Sequence, residues 1–260
     1  MVEYAEPTWI PIKSDSENFN LFLKDLGFPT YLYGYQDVLV ATDPAYWLSF
    51  LPQPMFAIIL IWPYTDKYKS LHSRYLPHNK TKLDLYKSPP PIPEERALLV
   101  KKAEEKAFFL HQKIRNACGT MAILHSALNI PDFDWSLVQH DSFLHKFKTK
   151  MDALPMTEWR ERGELLVNDY DLREELAAIH HKFVVKEGDE ENCDAENHFT
   201  AFVQIDGEIF ELDGRCEKPK HWGGVDGHLG VSFVNIFNLM IELDPTQINF
   251  AVLALCANSG

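Results

Sequence analysis

The stretch that decides both fold and chemistry is HQKIRNACGTMAILHSALN, residues 111–129. Its second half, residues 121–128, has almost no polar face, which predicts a buried helix. Its first half is polar and ends in Asn-Ala-Cys-Gly. A cysteine at the start of a buried helix is either a small core residue or a nucleophile.

Local features around Cys118 favour the nucleophile. Asn116 is a good N-cap, which would place Cys118 in the first helical turn. There the helix dipole and the free backbone N–H groups stabilise a thiolate. Gly119 would leave room for a substrate backbone. The Cys118 N–H and the side chain of Gln112 are candidate donors to an oxyanion, although Gln112 alone is equally well explained as a polar loop residue.

A second segment, HFTAFVQIDGEIFELDG at residues 198–214, predicts a β-hairpin around Asp206-Gly207. A two-residue loop pairs Ile205 with Glu208. Counting back along both strands then places His198 and Asp213 on one face as diagonal neighbours. Each residue alone is well explained, His198 as a solvated histidine and Asp213 as a turn former. Together with a candidate nucleophile they predict a Cys-His-Asp triad.

The other cysteines fit a nucleophile less well. Cys193 lies in an acidic loop that would raise its pKa, and Cys216 has no helix terminus beside it. Cys256 lies in an apolar strand, where we expect a core residue. His125 is on the same helix face as Cys118, and we expect a core or supporting histidine there. We expect three further histidines at the surface: His140, His180 and His181.

The composition excludes several classes of function. The 260-residue chain has a net charge of −13, which argues against nucleic acid as a partner. The acidic surface is compatible with a basic partner, and solubility alone explains it equally well. No CxxC pair occurs, so we expect neither a metal site nor a cofactor. The longest apolar run, residues 55–63, is too short to cross a membrane, and no signal-peptide core is present. We therefore expect a soluble cytoplasmic protein that is also compatible with the nucleus.

Hydrophobic periodicity predicts an α+β fold in a single domain over residues 1–260. Beyond the hairpin, strands are predicted over residues 55–63 and 249–255. The polar segment 66–95 contains SPPPIPEE, which predicts a surface-loop insertion. Helices are predicted after Cys118 and over residues 14–26, 43–51, 94–109, 136–150, 156–168 and 231–243.

These segments resemble the ubiquitin C-terminal hydrolase family. The spacings agree with that family, with six residues from Gln112 to Cys118 and fifteen from His198 to Asp213. The chain ends soon after its last strand, which resembles the short free-standing members. The segments that carry the resemblance are QKIRNACGTMAILHSALN, HFTAFVQIDGEIFELDGR, LPQPMFAIILIWPYTDKY and WIPIKSDSENFNLFLKDLG.

The resemblance implies a papain-like cysteine protease fold, in which helices flank a central antiparallel β-sheet and a crossover loop, here residues 171–196, covers the active site. It implies that Cys118 is the nucleophile and His198 the general base and acid. It also implies that Asp213 orients the imidazole and that Gln112 completes the oxyanion hole. Three residues align with ubiquitin-contacting positions of the family: Pro11, Ile12 and Phe250.

The implied activity is hydrolysis of small adducts, peptides or unfolded tails from the C-terminal glycine of ubiquitin, by a monomeric enzyme. Two alternatives stay open at this point. One is a ubiquitin-sequestering protein with slow turnover, and the other is a hydrolase for a related modifier such as Nedd8. A different papain-like acyltransferase is a third alternative, against which the NACGT and FELDGR segments argue.

Overall fold

The computed structural model describes residues 8–66, 68, 93–186 and 197–258. The helices in these ranges are α1 (Ser16–Leu26), α2 (Pro44–Ser49), α3 (Glu94–Lys106), α4 (Cys118–Ala127), α5 (Phe143–Met151), α6 (Trp159–Asn168), α7 (Tyr170–His180) and α8 (Leu229–Leu243). The strands are β1 (Tyr33–Asp37), β2 (Met55–Pro63), β3 (Asn197–Ile205), β4 (Glu208–Leu212), β5 (Lys220–Gly224) and β6 (Ala251–Ala257). A short 3-10 helix covers Trp135–Leu137.

The strands form one six-stranded antiparallel sheet in the order β1-β6-β2-β3-β4-β5. Strand β2 lies in the interior of the sheet between β6 and β3, and Trp62 of β2 lies directly opposite His198 of β3. The expected α+β fold with a central antiparallel sheet flanked by helices is therefore confirmed.

Both faces of the sheet are covered, which explains why β2 is apolar without alternation. Ala57, Ile59 and Ile61 face a large core that includes α1, α3, α4, α5 and α7. Ile58 and Trp62 face a second core formed mainly with α2 and α8. The sheet is thus sandwiched between two helical layers, and α4 lies in the thicker one.

Helix α4 is buried along its entire length, as its apolar sequence predicts. The predicted N-cap was wrong, because Asn116 has a left-handed φ of 62° and Ala117 is the cap residue. Cys118 is nevertheless the first residue of the helix. The expected position of the thiol in the first turn is confirmed, although the cap contributes no side-chain hydrogen bond.

Two predicted segments have a different structure. The helix predicted over residues 136–150 begins only at Phe143, because Asp141 has a φ of 61° and Ser142 caps α5 by accepting from the His145 N–H. Part of the crossover loop predicted over residues 171–196 is also wrong, because residues 171–180 belong to α7. Residues 187–196 of that segment lie outside the described ranges.

The predicted surface loop over residues 66–95 lies mostly outside the described ranges. Tyr68 within it is buried, and its ring lies 5.8 Å from the ring of Trp62. Strands β1 and β5 and helix α7 were not predicted as elements. No helix among the described residues is long and apolar enough to cross a membrane.

Candidate active site

The thiol of Cys118 sits at the N-terminus of α4, the helix that packs against β3 and β2. Only 5% of the residue is exposed. Burial raises the pKa of this thiol, but hydrogen bonding to His198 and the charges of His198 and Arg215 lower it. A backbone hydrogen bond to Phe199 lowers it further, and the net pKa of Cys118 falls below its usual value. The site therefore favours the thiolate.

The imidazole of His198 lies between this thiol and Asp213. Its Nε2 atom is 2.9 Å from Oδ2 of Asp213, and both side chains are buried. Burial lowers the pKa of His198, but the charge and hydrogen bond of Asp213, together with Cys118, raise it to about 9. The two shifts agree, because a thiolate and an imidazolium stabilise each other. The contact of Nε2 with Oδ2 is an ion pair when His198 is protonated.

The position of Asp213 follows from where the hairpin ends. The predicted pairing of Ile205 with Glu208 is confirmed, and the ladder runs back only to the pair Ala201–Leu212. Asp213 is therefore the first residue after β4, where its side chain turns toward His198. Its second oxygen, Oδ1, accepts the backbone N–H of Arg215 at 2.9 Å. The carboxylate is thereby held by the chain that follows it.

The side chain of Gln112 is buried, and its Nε2 donates to the carbonyl of Ile114 at 2.9 Å. The backbone N–H of Gln112 donates to the carbonyl of Gly214 at 2.8 Å, so the segment before α4, residues 111–117, contacts the loop after β4. A Cβ at residue 214 would lie 2.9 Å from Cβ of Gln112. Gly214 thus permits the contact that joins the segments of Gln112 and Asp213, a role that the sequence analysis missed.

The space beside Gly119 is filled by the protein itself. A Cβ at this position would lie 2.6 Å from Cγ1 of Ile12, so the expected room for a substrate backbone is absent there. Ile12 belongs to a strap, residues 9–13, that forms an isolated bridge with Val184. Ile12 is buried, so its side chain packs within the protein in this structure. Its expected contact with a substrate stays a prediction. Gly119 instead lets the strap lie directly on the first turn of α4.

The other two expected contact residues keep part of their surface. Pro11 is partly exposed, and its carbonyl accepts the N–H of Val185 at 3.0 Å. Phe250 is partly exposed and packs against the rings of Tyr68 at 5.8 Å and Phe237 at 5.4 Å.

Two buried histidines join α4 to the segments that pack around it. His125 contacts the backbone of Leu212 and Leu110, each at 3.3 Å, and burial lowers its pKa to about 4. The expectation of a core histidine is confirmed there. His180 was expected at the surface, which is wrong: it is fully buried, with Nδ1 2.8 Å from Thr120 Oγ1 and Nε2 2.7 Å from the Ile10 carbonyl. His180 thus ties the strap to α4.

Cys256 and the candidate metal ligands belong to other elements of the structure, whereas the backbone N–H of Cys216 donates to the carbonyl of Asp213 at 2.8 Å. Cys256 is buried in β6, where burial raises its pKa to about 12, as expected for a core thiol. Cys216 is partly exposed, and Cys193 lies outside the described ranges. Among the described residues, one group of ligand atoms lies within 4.8 Å on the exposed approach to α5: His140, Asp141 and His145.

The fold and the site define a class of protein: a papain-like thiol hydrolase, with the cysteine on a buried helix, the histidine on the adjacent sheet and the aspartate directly after a strand of that sheet. The family model described as "Ubiquitin carboxyl-terminal hydrolase, family 1" matches residues 9–242. The chain therefore belongs to that family of cysteine peptidases.

Named relatives agree with this membership, and a solved structure has a similar fold. The chain is 28% identical to a probable ubiquitin carboxyl-terminal hydrolase of Dictyostelium discoideum, over 96% of this chain and 89% of the relative. It is 28% identical to ubiquitin carboxyl-terminal hydrolase 3 of Arabidopsis thaliana, over 95% and 93%. The UCH37 catalytic domain of Trichinella spiralis, solved bound to ubiquitin vinyl methyl ester, has a similar fold, with a TM-score of 0.66, 22% identity and 98% of both chains covered.

Proposed function

We propose that this protein hydrolyses the acyl bond after the C-terminal glycine of ubiquitin, and that residues 1–260 form a single catalytic domain. The observation that carries the proposal is the contact of His198 with both Cys118 and Asp213 at the N-terminus of a buried helix. Membership of the ubiquitin carboxyl-terminal hydrolase family supports ubiquitin as the substrate.

The proposed chemistry assigns one step to each group. The Cys118 thiolate attacks the carbonyl carbon of the terminal glycine, and the negative charge moves to the carbonyl oxygen. Gln112 and the backbone N–H of Cys118 stabilise that oxyanion, since the first N–H groups of a helix have no partner within it. His198 gives its Nδ1 proton to the leaving amine as the C–N bond breaks. Water, deprotonated by His198, then cleaves the thioester and restores the thiolate.

We propose a docking surface at the catalytic end of the sheet. Asp37 of β1 lies opposite Leu253 of β6, so the chain after β1 and the chain before β6 leave the sheet at the same end. Leu39 and Ile248 lie in those two segments and are 81% and 85% exposed. Trp62 and His198 pair at this same end of the sheet. Exposed apolar side chains at the end of the sheet that carries a catalytic group are typical of a binding site for another protein.

Phe250 and Pro11 fit the same surface, since both keep an exposed portion near the start of β6 and on the strap. The catalytic side chains are themselves almost fully enclosed. A leaving group must therefore be narrow, which favours small adducts, peptides and unfolded tails over folded conjugates.

The test uses ubiquitin with a fluorophore on its C-terminus and a ubiquitin probe with an electrophilic warhead. The wild-type protein should release the fluorophore and form a covalent adduct at Cys118. Cys118→Ser should abolish both while leaving the Kd for ubiquitin within about twofold of wild type. No release and no adduct would refute the proposal.

The same assay distinguishes the alternatives. A Nedd8 probe and substrate, run in parallel, should react more slowly than their ubiquitin counterparts; the reverse order would reassign the modifier. Tight ubiquitin binding beside very slow release would support sequestration in place of hydrolysis.

A further inference from the structure

The imidazole of His198 has two aromatic neighbours in addition to the triad. The ring of Trp62, its partner across the β2–β3 ladder, lies 5.2 Å away at an interplanar angle of 82°. The ring of Tyr64 lies 5.3 Å away at 57°. Both rings come from the end of β2 and the residues just after it, so one short segment of chain supplies two contacts to the imidazole.

Tyr64 is in turn contacted by Arg215. The guanidinium carbon of Arg215 lies 4.6 Å from the centroid of the Tyr64 ring, within the range of a cation–π contact. The backbone N–H of the same residue donates to Oδ1 of Asp213. Arg215 therefore touches both the ring and the carboxylate that flank the catalytic histidine.

We propose that Tyr64, with Arg215 stacked on it, is a positioning residue that holds the His198 imidazole in its reactive orientation. This inference rests on the proposed function for its kinetic consequences. During turnover the imidazole must keep Nε2 at Asp213 while Nδ1 passes a proton between the thiol, the leaving amine and water. The strand fixes the backbone of His198, and the rotation of its side chain is limited by the contact with Asp213 and by the rings that pack against the imidazole.

The charge of the histidine gives Tyr64 a second effect. An aromatic ring attracts a nearby cation through its electron-rich face, so the contact stabilises the imidazolium more than the neutral imidazole. Removing the ring should therefore loosen the orientation of His198 and lower its pKa. A residue that only fills space would affect stability without moving a titration.

The experiment compares Tyr64→Leu with Tyr64→Phe. Tyr64→Phe keeps the ring and should keep kcat within about twofold, whereas Tyr64→Leu should lower kcat about tenfold with KM nearly unchanged. In Tyr64→Leu the alkaline limb of the kcat/KM profile should also move to lower pH. Arg215→Lys keeps the charge without the planar stack and should fall between wild type and Tyr64→Leu in kcat.

A second measurement needs no substrate. The rate of alkylation of Cys118 by iodoacetamide, followed against pH, reports the thiolate–imidazolium pair directly. Tyr64→Leu should narrow the pH range over which Cys118 is alkylated rapidly, whether or not ubiquitin is the substrate. A failure of the proposed function would appear as an inactive wild type with a normal alkylation profile, so the two failures are distinguishable.

Tyr170 and Arg173 provide the matched control, because the Arg173 guanidinium also lies over a tyrosine ring, at 5.4 Å, but on an exposed surface at the start of α7. Tyr170→Leu should leave kcat and the alkylation profile unchanged. Wild-type kcat and alkylation in a Tyr64→Leu protein of normal thermal stability would overturn the proposal. An equal loss in Tyr64→Phe would also overturn it, because the hydroxyl and not the ring would then be responsible.

Discussion

Cys118 and Cys256 are both buried, yet the pKa values of their thiols are shifted in opposite directions from that of an ordinary cysteine. Cys256 lies in β6 among apolar side chains, and burial raises its pKa to about 12. Cys118 is buried as well, but His198 and Arg215 lower its pKa below the usual value. Burial therefore makes a thiol inert unless a paired charge outweighs the lost solvation.

The difference also lies in the elements that carry the two residues. Cys256 has both neighbours in a strand whose N–H groups are used by the sheet. Cys118 begins a helix, where the first N–H groups have no intrahelical acceptor and can face an anion. A thiol inside a strand therefore serves packing, whereas a thiol at a helix N-terminus can be stabilised as an anion.

The largest expected effect separates the two cysteines directly. Cys118→Ala should lower kcat/KM by at least about 10⁴-fold, because no other group supplies the nucleophile. Cys256→Ala should leave kcat/KM within about twofold and lower the free energy of unfolding by roughly 1–2 kcal/mol through the small cavity it creates. Fluorophore release measures kcat/KM, and urea unfolding measures the free energy of unfolding. An active Cys118→Ala protein would contradict the assignment of Cys118 as the nucleophile.

Asp213→Asn should raise the pKa of the Cys118 thiol toward that of a buried thiol without a paired charge, such as Cys256. It removes the charge that raises the pKa of His198, so we expect a loss of about 10³-fold in kcat, between the values for general-base and triad replacements. In the wild type, activity should fall as the pH rises through about 9, where His198 loses its proton.

In the Asp213→Asn variant that alkaline limb should move to lower pH. The acid limb should move to higher pH as the thiolate loses its partner cation, and the active range narrows from both sides. A kcat/KM profile measured from pH 5 to 10 checks both movements. An unshifted alkaline limb would contradict the assignment of His198.

Gln112→Ala should separate thiolate formation from oxyanion stabilisation. Loss of one side-chain donor should lower kcat by about 10²-fold or somewhat more. The alkylation rate of Cys118 should stay within about threefold of wild type, because Gln112 is not among the groups that shift its pKa. A large drop in the alkylation rate would instead show that Gln112 supports the fold of the segment before α4, residues 111–117.

Gly119→Ala should act on packing and so on the stability of the protein. The new Cβ would lie 2.6 Å from Cγ1 and 2.7 Å from Cδ1 of Ile12, so the strap or the helix must shift. We expect the free energy of unfolding to fall by about 1–3 kcal/mol, as for other overpacked sites. Ile12→Val removes Cδ1, so the double variant should lose less than the sum of the single losses. Additive losses would place the strain elsewhere.

The hairpin shows how far pattern alone could reach. The Asp206-Gly207 turn fixed the register, and the observed pair Ile205–Glu208 matches the prediction. The register also predicted that His198 and Asp213 lie within reach, and their contact is 2.9 Å. The ladder ends at Ala201–Leu212, however, so Asp213 reaches His198 from just beyond β4. The register could be predicted because the geometry of a two-residue hairpin depends only on local sequence. The roles of Cys118, His198, Asp213 and Gln112 in turnover stay predictions until the variants are measured.

Other predictions failed where distant segments decide the environment. His180 looked like a surface histidine, yet the strap from residues 9–13 covers it, and Trp9 packs 4.3 Å from its ring. Gly119 looked like space for a substrate, yet Ile12 occupies that space. In both cases the deciding residue lies more than a hundred positions away in the sequence, where no local pattern reveals it.

The sequence by itself determined the apolar helix after Cys118, the hairpin and its register, and the residue types that a thiol hydrolase requires. Those features depend on periodicity, turn chemistry and spacing, which act over short distances along the chain. Only the tertiary structure decided that Gly214 contacts Gln112, that the strap lies on α4, and that Tyr64 and Arg215 stand beside His198. Those contacts join elements brought together by burial on the two faces of one sheet, and burial depends on the whole fold.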